Sequence, residues 1–368
     1  MKKVLAFMLA AMMMASVAVG CGNDGSTSST DGGATDNTAS TESTDGEEPA
    51  ADASDVSIGS CVYKFDDTFM TGVRNTMTAR AAELGATIDI VDSQNKQPTQ
   101  NEQVDTFITK GVNALIVNPV DLTAAGPIIT KAKDAGLPIV LQNRQPSEED
   151  MNSYDQAWYV GCKAEQSGTM SGEIIADYFT ANPDADKNGD GVIQYVMLQG
   201  EPGHQDATLR SEYAPKAIEE AGFQVEQLAA DTAMWDKVKA TDLMAAFISS
   251  QGLDKIEAVL CNNDDMALGA IEALKAEGYN SGDASKYIPV VGVDATAPAL
   301  EAMKEGFLLG TVLNDATSQG NASVNIAVAA AQGKEINEEN IGYPVTDDKY
   351  VWIDYVKVTQ DNYQDYMS

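Results

Sequence analysis

The segment from Asp186 to Gln194 has the residue types and spacing of a calcium-binding loop. Asp186, Asn188 and Asp190 place oxygen-bearing side chains at the first, third and fifth positions, and a glycine stands sixth, where such loops turn sharply. The backbone carbonyl of Val192 and the side-chain amide of Gln194 add oxygens at the seventh and ninth positions. The segment therefore predicts a site for a hard cation.

This loop is incomplete as a cation site. Calcium takes about six to eight oxygen ligands, and an EF-hand supplies a bidentate Glu at the twelfth position. Met197 stands there instead, inside the apolar run Ile193–Leu198, which is typical of a buried strand. A further carboxylate must come from elsewhere in the fold. A turn that binds no metal remains the alternative.

A second group of residues whose side chains could bind a ligand follows directly, in the string GEPGHQDATLR. A Pro-Gly turn follows the buried strand, and a helix is expected to begin near Asp206, so His204, Asp206 and Arg210 gather at the carboxyl end of that strand. Ligands of open α/β sheets bind at this edge. Asp206 and Arg210, four residues apart on one helix, could also form only a solvated ion pair. His204 is the only histidine, and a lone histidine is more often structural.

The elements that position these residues alternate between strands and helices. Apolar runs predict strands at 56–62, 88–91, 114–118, 139–142, 157–162, 193–198, 223–228, 258–261, 289–293 and 310–313, most of them followed by a helical pattern. Such alternation predicts parallel sheets. Because about ten strands exceed what one compact sheet holds, we expect an α/β protein of two doubly wound domains.

Single polar residues recur where these strands end. The set comprises Asp67, Asp121, Asn143, His204, Asp206, Asn263, Asp294 and Asn314. Any one of them could be only a helix cap. Because the set spans both predicted domains, it indicates a ligand-binding crevice between them.

The chemistry of this set suits a polyol. Asp, Asn and Arg side chains make paired hydrogen bonds with neighbouring hydroxyls. Phe69 and Trp235 follow predicted strands and could cover the apolar faces of a sugar ring. Plain packing is the alternative for each aromatic residue.

The amino terminus predicts export. Residues 1–20 have a charged start and a short apolar run, and they precede Cys21 in a sequence typical of a lipoprotein signal. We expect Cys21 to carry the lipid; an ordinary secretory signal is the alternative. Residues 21–55 contain no Lys, Arg or large apolar residue, which predicts a disordered tether between the membrane and the folded chain.

The net charge argues against nucleic-acid binding, and the cysteine content argues against a full set of disulfides. The formal net charge of −33 leaves no basic surface for nucleic acid. Cys61, Cys162 and Cys261 cannot all pair with one another, and each lies in or beside an apolar run, so we expect buried thiols.

Short strings along the chain resemble one family. They are YKFDDTFM, DSQN, NRQPS, SYDQAWYVG, DKNGDGVIQ, GEPGH, DTAMW, NND, ALGAIEALKA, GVDA and GTVLNDA. From about residue 56 to 358 the chain is similar to the bacterial galactose/glucose-binding proteins, the extracytoplasmic receptors of sugar ABC importers. The resemblance implies a type I periplasmic-binding-protein fold, a D-galactose or D-glucose ligand, an ABC permease as partner, and no enzymatic activity.

The resemblance also implies roles for individual positions. The residues that bind the sugar in that family correspond to Asp67, Phe69, Asn143, His204, Asp206, Arg210, Trp235, Asn263, Asp294 and Asn314. Its structural Ca²⁺ falls on Asp186, Asn188, Asp190, the Val192 carbonyl, Gln194 and, as the distant carboxylate, Glu257. The chain departs from the family at three positions. Gln205 stands where the family has Pro, Arg144 where it has Lys, and Gln142 where it has an aromatic residue.

By the same resemblance, the chain crosses between its domains three times. The amino-terminal domain would comprise 56–162 and 315–352, and the carboxyl-terminal domain 163–314 and 353–368. The lipoprotein leader indicates a Gram-positive cell, with a monomer anchored to the outer face of its membrane only by lipid.

Other functions are less consistent with the sequence. A transcription repressor of the same fold would need a helix-turn-helix head and basic charge. An exported glycosidase would need a carboxylate pair set about the scissile bond, and no Glu of the set is placed as the acid. A ligand receptor for chemotaxis or a sensor kinase uses the same binding event and stays open.

Overall fold

The computed structural model describes residues 55–367. The predicted signal peptide, Cys21 and the predicted tether as far as residue 54 lie outside the described residues, as does Ser368. Within the described residues, every helix is too short or too polar to cross a membrane.

The described chain alternates strands with helices. The strands are β1 (Ser57–Val62), β2 (Thr87–Asp92), β3 (Ala114–Val117), β4 (Ile139–Gln142), β5 (Ala157–Gly161), β6 (Val192–Gln199), β7 (Gln224–Thr232), β8 (Ala258–Cys261), β9 (Val290–Val291), β10 (Thr311–Leu313), β11 (Tyr350–Trp352) and β12 (Val356–Val358). The α-helices are α1 (Thr68–Glu83), α2 (Gln97–Lys110), α3 (Ala125–Asp134), α4 (Glu148–Asn152), α5 (Ala164–Ala181), α6 (Gln205–Glu220), α7 (Lys237–Gln251), α8 (Asp264–Ala276), α9 (Ala297–Lys304), α10 (Ala316–Ala331) and α11 (Glu338–Ile341).

The first lobe is built on a six-stranded sheet in the order β11-β5-β4-β3-β1-β2, with every pair parallel. Alternate residues of a strand face opposite sides of its sheet. In β1, Ile58 and Val62 therefore join the core under α1 and α10, whereas Cys61 joins the core under α2 and α3. Two covered faces explain why β3, β4 and β5 are apolar and buried along almost their whole length.

The second lobe is built on the parallel sheet β7-β6-β8-β9. Single parallel bridges place β10 beside β9, and β12 pairs with β10 in the antiparallel direction. The same alternation divides β6: Val196 and Leu198 enter one core, and Ile193, Tyr195 and Met197 enter the other. A buried sheet again lies between two layers of helices.

The predicted α/β class with two parallel-sheet lobes is confirmed, but two details of the strand prediction were wrong. It missed β11 and β12, and it expected only parallel pairs, whereas β12 is antiparallel. Each has only three residues and, unlike β10, neither is directly followed by an α-helix that would mark it as part of the alternation. The predicted strand at 289–293 is reduced to Val290–Val291, because beyond Val291 only an isolated bridge, from Asp294 to Leu313, joins the chain to β10.

The chain passes between the lobes three times. It crosses after β5, near Cys162; after β10, near Asn314; and between β11 and β12, near Tyr355. Each crossing is a short loop segment. The three segments are neighbours, because the N–H of Ile353 donates to the Gly161 carbonyl and the Cys162 thiol donates to Asn314 Oδ1. Parallel strands end on the same edge of a sheet, and the loops that follow β1, β4, β6, β8 and β9 meet between the lobes.

Candidate ligand-binding cleft

A cavity of about 370 Å³ lies between the lobes, where their strands end. This volume includes space that is open to solvent. The structure brings all of the predicted sugar-binding side chains to its wall: Asp67, Phe69, Asn143, His204, Asp206, Arg210, Trp235, Asn263, Asp294 and Asn314. Tyr63, Met70 and Arg144 complete the lining.

Several of these residues cap a helix and also line the cleft. Asp67 caps α1 by accepting the Met70 N–H through Oδ1 at 2.7 Å, while its Oδ2 accepts the hydroxyl of Tyr63. Asn263 caps α8 in the same way, accepting the Met266 N–H at 3.0 Å. Capping occupies only part of each side chain. A residue that caps a helix here can therefore also bind a ligand.

His204 is held as a neutral donor. It caps α6, and its Nδ1 accepts the backbone N–H of Asp206 at 3.1 Å, which leaves the proton on Nε2. Burial, together with the charges of Arg144 and Arg210, holds the pKa of His204 well below its usual value. The imidazole therefore offers one N–H to a ligand across the whole neutral pH range.

Arg210 is fixed by partners on every side of its guanidinium. Its Nε donates to Ser167 Oγ at 3.1 Å and its Nη1 donates to the Asn262 carbonyl at 2.8 Å. Its Nη2 donates to Asp206 Oδ2 at 3.1 Å and to the Tyr355 hydroxyl at 2.9 Å. The side chains of Arg210 and Asp206 are only 5% and 14% exposed, so the pair is buried and the alternative of a solvated surface ion pair was wrong.

Asp294 and Asn314 form a second braced pair. Asn314 Nδ2 donates to Asp294 Oδ1 at 3.1 Å, and its Oδ1 accepts from Gln319 Nε2 at 2.6 Å and from the Cys162 thiol at 3.2 Å. Both amide atoms are thereby oriented by the fold. Burial raises the pKa of Asp294 well above its ordinary value, against the opposing charge of Arg210.

Trp235 is 8% exposed and lies against other cavity residues. The imidazole of His204 meets its ring edge to face, with centroids 5.1 Å apart. Gly200 is required beneath it, because a Cβ there would lie 2.1 Å from the indole. Phe69 lines the cavity from the first lobe. The two aromatic side chains thus come from opposite lobes.

Three residues of the cavity wall have an unusual backbone conformation. Asn143, Trp235 and Asp294 have φ angles of 64°, 62° and 119°, in a region that residues other than glycine rarely adopt. Such conformations cost about 1–3 kcal/mol each and persist where the surrounding structure enforces them, most often at functional sites. Sequence patterns give no sign of this feature.

Comparisons with known proteins agree with this geometry. The family described as the periplasmic binding protein domain matches residues 58–335. The chain belongs to the periplasmic binding protein family. A relative from Haemophilus influenzae, named as a D-galactose/methyl-galactoside binding periplasmic protein, is 43% identical over 88% of this chain and 95% of its own length. A xylitol-binding protein of Mycolicibacterium smegmatis is 30% identical over 80% of this chain and 77% of its own length.

Solved structures of periplasmic binding proteins share the fold. An ABC transporter solute-binding protein from Bacillus halodurans, with bound myo-inositol, aligns with a TM-score of 0.72 at 34% identity. The alignment covers 87% of this chain and 99% of that one. These comparisons confirm the predicted type I periplasmic-binding-protein fold and the predicted family.

Sequence reasoning missed some residues of this periplasmic binding protein's cleft and misplaced one. Tyr63 directly follows β1 and lines the cavity, a position that could have signalled its role. Tyr355, which fixes Arg210, lies in the third crossing and had no signal. Asp121, by contrast, does not line the cavity. It is exposed and caps a single 3₁₀ turn by accepting the Thr123 N–H at 2.8 Å.

The predicted cation loop lies at the start of β6, at the opposite end of that strand from His204. Asp186 accepts the N–H groups of Gly189 and Gly191, and Asp190 accepts that of Val192. The loop carboxylates are thus paired largely with amides of the loop itself. Asn188 Nδ2 and Gln194 Nε2 both donate to Asp190 Oδ2, at 2.9 and 3.0 Å.

Glu257 reaches the same loop from the segment that precedes β8. Its two carboxylate oxygens accept the N–H groups of Lys187, at 2.6 Å, and Gln194, at 3.1 Å. Burial raises the pKa of Glu257, against hydrogen bonds from those two backbone groups. Between residues 55 and 367, no three His, Cys, Asp or Glu side chains are gathered closely enough to hold a metal ion. The oxygens present suit calcium, but the amides of Asn188 and Gln194 would have to turn their oxygens inward.

Proposed function

We propose that this periplasmic binding protein captures D-galactose or D-glucose between its lobes and delivers the sugar to an ABC importer permease. The observation that carries the proposal is the meeting, in one small cavity, of buried carboxylates, amides and a guanidinium with two aromatic side chains. The relative named for D-galactose supports the ligand, and the neighbour solved with myo-inositol supports a polyol of similar size.

Each group of the cleft has a defined part in such binding. The carboxyl oxygens of Asp67, Asp206 and Asp294 accept hydrogen bonds from hydroxyl groups, while Arg210 and the Nε2–H of His204 donate hydrogen bonds to hydroxyl oxygens. Carboxylates and guanidinium groups bind neighbouring hydroxyls in pairs, and bonds to charged groups are worth about 1.5–3 kcal/mol each. Trp235 and Phe69 cover the ring faces from opposite lobes, so that binding favours closure.

The braces behind these groups make the site selective. Because partners elsewhere in the fold fix Arg210 and Asn314, a ligand lacking the matching hydroxyl would leave buried polar groups unpaired. Such a mismatch costs roughly 1–3 kcal/mol for each group. We therefore expect D-glucose and D-galactose to bind more tightly than smaller sugars.

Calorimetric titration of D-glucose, D-galactose, D-ribose and myo-inositol tests this proposal. We expect saturable binding with one or both hexoses and weaker binding of the other ligands. No heat with either hexose at millimolar concentration would contradict it. Tighter binding of ribose or inositol would replace the ligand while keeping the transport role.

The remaining parts of the proposal concern the metal and the anchor. We propose that Asp186, Asn188, Asp190, the Val192 carbonyl, Gln194 and Glu257 hold a structural Ca²⁺, whose charge would offset the repulsion of three carboxylates. We also propose a monomer anchored outside the cell through lipid on Cys21. Loss of radiolabelled lipid incorporation in Cys21→Ser would support the anchor, and unchanged incorporation would contradict it.

Two alternative functions use the same cleft. A receptor for chemotaxis or a sensor kinase would bind the same sugar and differ only in its partner. An exported glycosidase would act on the sugar, and Asp67, Asp206 and Asp294 are carboxylates at the site. Incubation with a nitrophenyl galactoside separates the two classes. We expect no cleavage, and release of nitrophenol would favour the enzyme.

A further inference from the structure

Polar side chains from the two lobes meet directly across the mouth of the cleft. In the second lobe, Glu201 follows β6. Its Oε2 accepts from Arg144 Nη2 at 2.7 Å and its Oε1 accepts from Asn95 Nδ2 at 3.0 Å, and both donors belong to the first lobe. Both carboxylate oxygens are therefore held from the opposite side. Thr68 Oγ1 adds a contact of 2.7 Å to Asp265 nearby.

Arg144 is preorganised to hold Glu201. Its guanidinium lies 4.1 Å above the centre of the Tyr63 ring, and its Nη1 donates to the Val120 carbonyl at 2.6 Å. The side chain is 5% exposed, and that of Glu201 is 13% exposed. A planar, forked cation can stack and make both bonds at once, whereas the single ammonium of a lysine cannot. The ion pair is also largely shielded from water, which strengthens it relative to a surface pair.

Asn95 is also fixed before it reaches across the cleft. Its backbone has a φ angle of 52°, and its N–H donates to the Tyr63 carbonyl at 2.6 Å. Tyr63 in turn donates its hydroxyl to Asp67, one of the proposed sugar ligands. Both donors to Glu201 therefore contact the residue that orients Asp67. On the first lobe, the contact across the mouth is linked to the ligand site.

On the second lobe, Glu201 is tied to another proposed ligand residue. The N–H of His204 donates to the Glu201 carbonyl at 3.1 Å, closing the turn between them. The turn is anchored at its start, where the N–H of Gly200 donates to Asn262 Oδ1 at 3.0 Å. Glu201 itself does not line the cavity. Its carboxylate joins the wall that holds His204 to the wall that holds Asp67 without occupying the ligand position.

We propose that Glu201 is a positioning residue: with Arg144 and Asn95 it forms a clamp that stabilises the closed lobes and thereby sets the affinity for the sugar. The inference rests on the proposed function, because it needs a ligand that binds between closed lobes. The apparent dissociation constant equals the intrinsic one divided by the population of the competent conformation. Arg144 lines the cavity, but the Glu201 carboxylate does not, so a change at Glu201 alters that population and not the recognition of individual hydroxyls.

The test compares the wild-type protein with Glu201→Gln, which keeps the shape of the side chain and removes its charge. Asp105→Asn is the matched control, because it breaks an ion pair of 2.6 Å with Lys131 that lies within the first lobe. We expect Glu201→Gln to raise the dissociation constants for D-glucose and D-galactose by the same factor, about tenfold, mainly through faster release. We expect Asp105→Asn to leave both constants unchanged.

A second variant and a second readout keep the test independent of folding and of the ligand. Arg144→Lys keeps the charge and loses the fork, so we expect an intermediate rise for both sugars. Spin labels attached through cysteines at the exposed positions Asp66 and Lys237 report the distance between the lobes. Without sugar, the share of short distances should fall in Glu201→Gln, while the melting temperature stays close to that of the wild type.

The outcomes separate the clamp from the proposed function. Unchanged dissociation constants in Glu201→Gln, or a change for only one of the two sugars, would overturn the clamp. If the wild-type protein binds neither sugar, the proposed function fails. The distances between the spin labels in the ligand-free proteins then still test the clamp. Identical distance distributions in the wild type and in Glu201→Gln would overturn it.

Discussion

The cleft and the cation loop differ in what holds their oxygen atoms in place. In the cleft, the side chain of Arg210 is buried and braced by Ser167, Asn262 and Tyr355, which lie far away in the sequence. In the loop, the exposed Asp190 accepts bonds from its near neighbours Asn188, Val192 and Gln194. The fold therefore sets the geometry of the cleft, whereas the loop is shaped by local bonds that a cation would replace.

This difference implies a division of roles. A site braced by the fold should recognise its ligand whether or not a distant ion is bound. A loop closed mainly by its own amides, with Glu257 reaching it from outside, should stabilise the protein when an ion draws these carboxylates together, and should leave recognition alone.

The largest effect should follow from removing the aromatic wall of the cleft. We expect Trp235→Ala to weaken sugar binding by about 2–4 kcal/mol, because a buried aromatic anchor is lost. Trp352→Ala is the control, since Trp352 stacks on Tyr350 at the edge strand of the first lobe and does not line the cavity. Titration calorimetry measures both variants. An unchanged dissociation constant in Trp235→Ala would show that the indole is only part of the core.

The next effect concerns the loop. We expect excess EDTA to lower the melting temperature of a calcium-loaded sample, while sugar still binds at low temperature. Calcium at about a hundredfold excess over its dissociation constant would stabilise the fold by about 2.7 kcal/mol. Scanning calorimetry with and without EDTA measures the change.

Glu257→Gln sharpens this test. The variant should reproduce most of the loss even with calcium present, because it removes the buried carboxylate that reaches the loop from outside it. Glu226→Gln, an exposed position on β7 of the same lobe, should melt like the wild type. If EDTA leaves the melting curve where it was, the segment is only a turn.

A smaller effect should appear in the pH dependence of folding. Asp264 is buried beside the cleft and accepts bonds from Thr311, at 2.6 Å, and from the N–H of Thr296, at 2.7 Å. Burial raises its pKa from 3.8 to about 7. The folded state therefore binds this proton more tightly than the unfolded state, so the stabilisation is present below the unfolded value and is lost as pH rises toward 7.

Asp264→Asn removes this titration and keeps an acceptor for Thr296. Relative to the wild type, the variant should gain about 1–3 kcal/mol of unfolding free energy between about pH 4 and pH 8. Asp242→Asn, at an exposed position on α7, should follow the wild type at every pH. Urea unfolding at a series of pH values measures the difference. A constant difference between Asp264→Asn and wild type would contradict the assigned burial effect.

The sequence predicted the parallel lobes and the wall of the cleft because both leave local signals. Buried strands are continuous apolar runs, and a polar residue just after such a run, such as Asn143 or Asp294, marks the edge where strands end. The family resemblance added Glu257, which no spacing in the loop could have located. The short strands β11 and β12 had no such signal.

The braces behind the cleft could not be predicted in the same way. Cys162 and Tyr355 lie at the crossings between the lobes and are far in the sequence from their partners Asn314 and Arg210. Their roles depend on where three separate chain segments meet. The clamp at Glu201 is a further case, since the string GEPGH does not show that Arg144 and Asn95 face its carboxylate across the mouth.

Titration of D-glucose and D-galactose into the full mature protein, with calcium and with excess EDTA, shows whether the cleft binds sugar independently of the cation loop. We expect saturable one-to-one binding of at least one hexose, with nearly the same dissociation constant in both buffers at low temperature. No heat with either sugar would contradict the assignment of the cleft. Binding that disappears with EDTA would contradict the separation of the cleft from the loop.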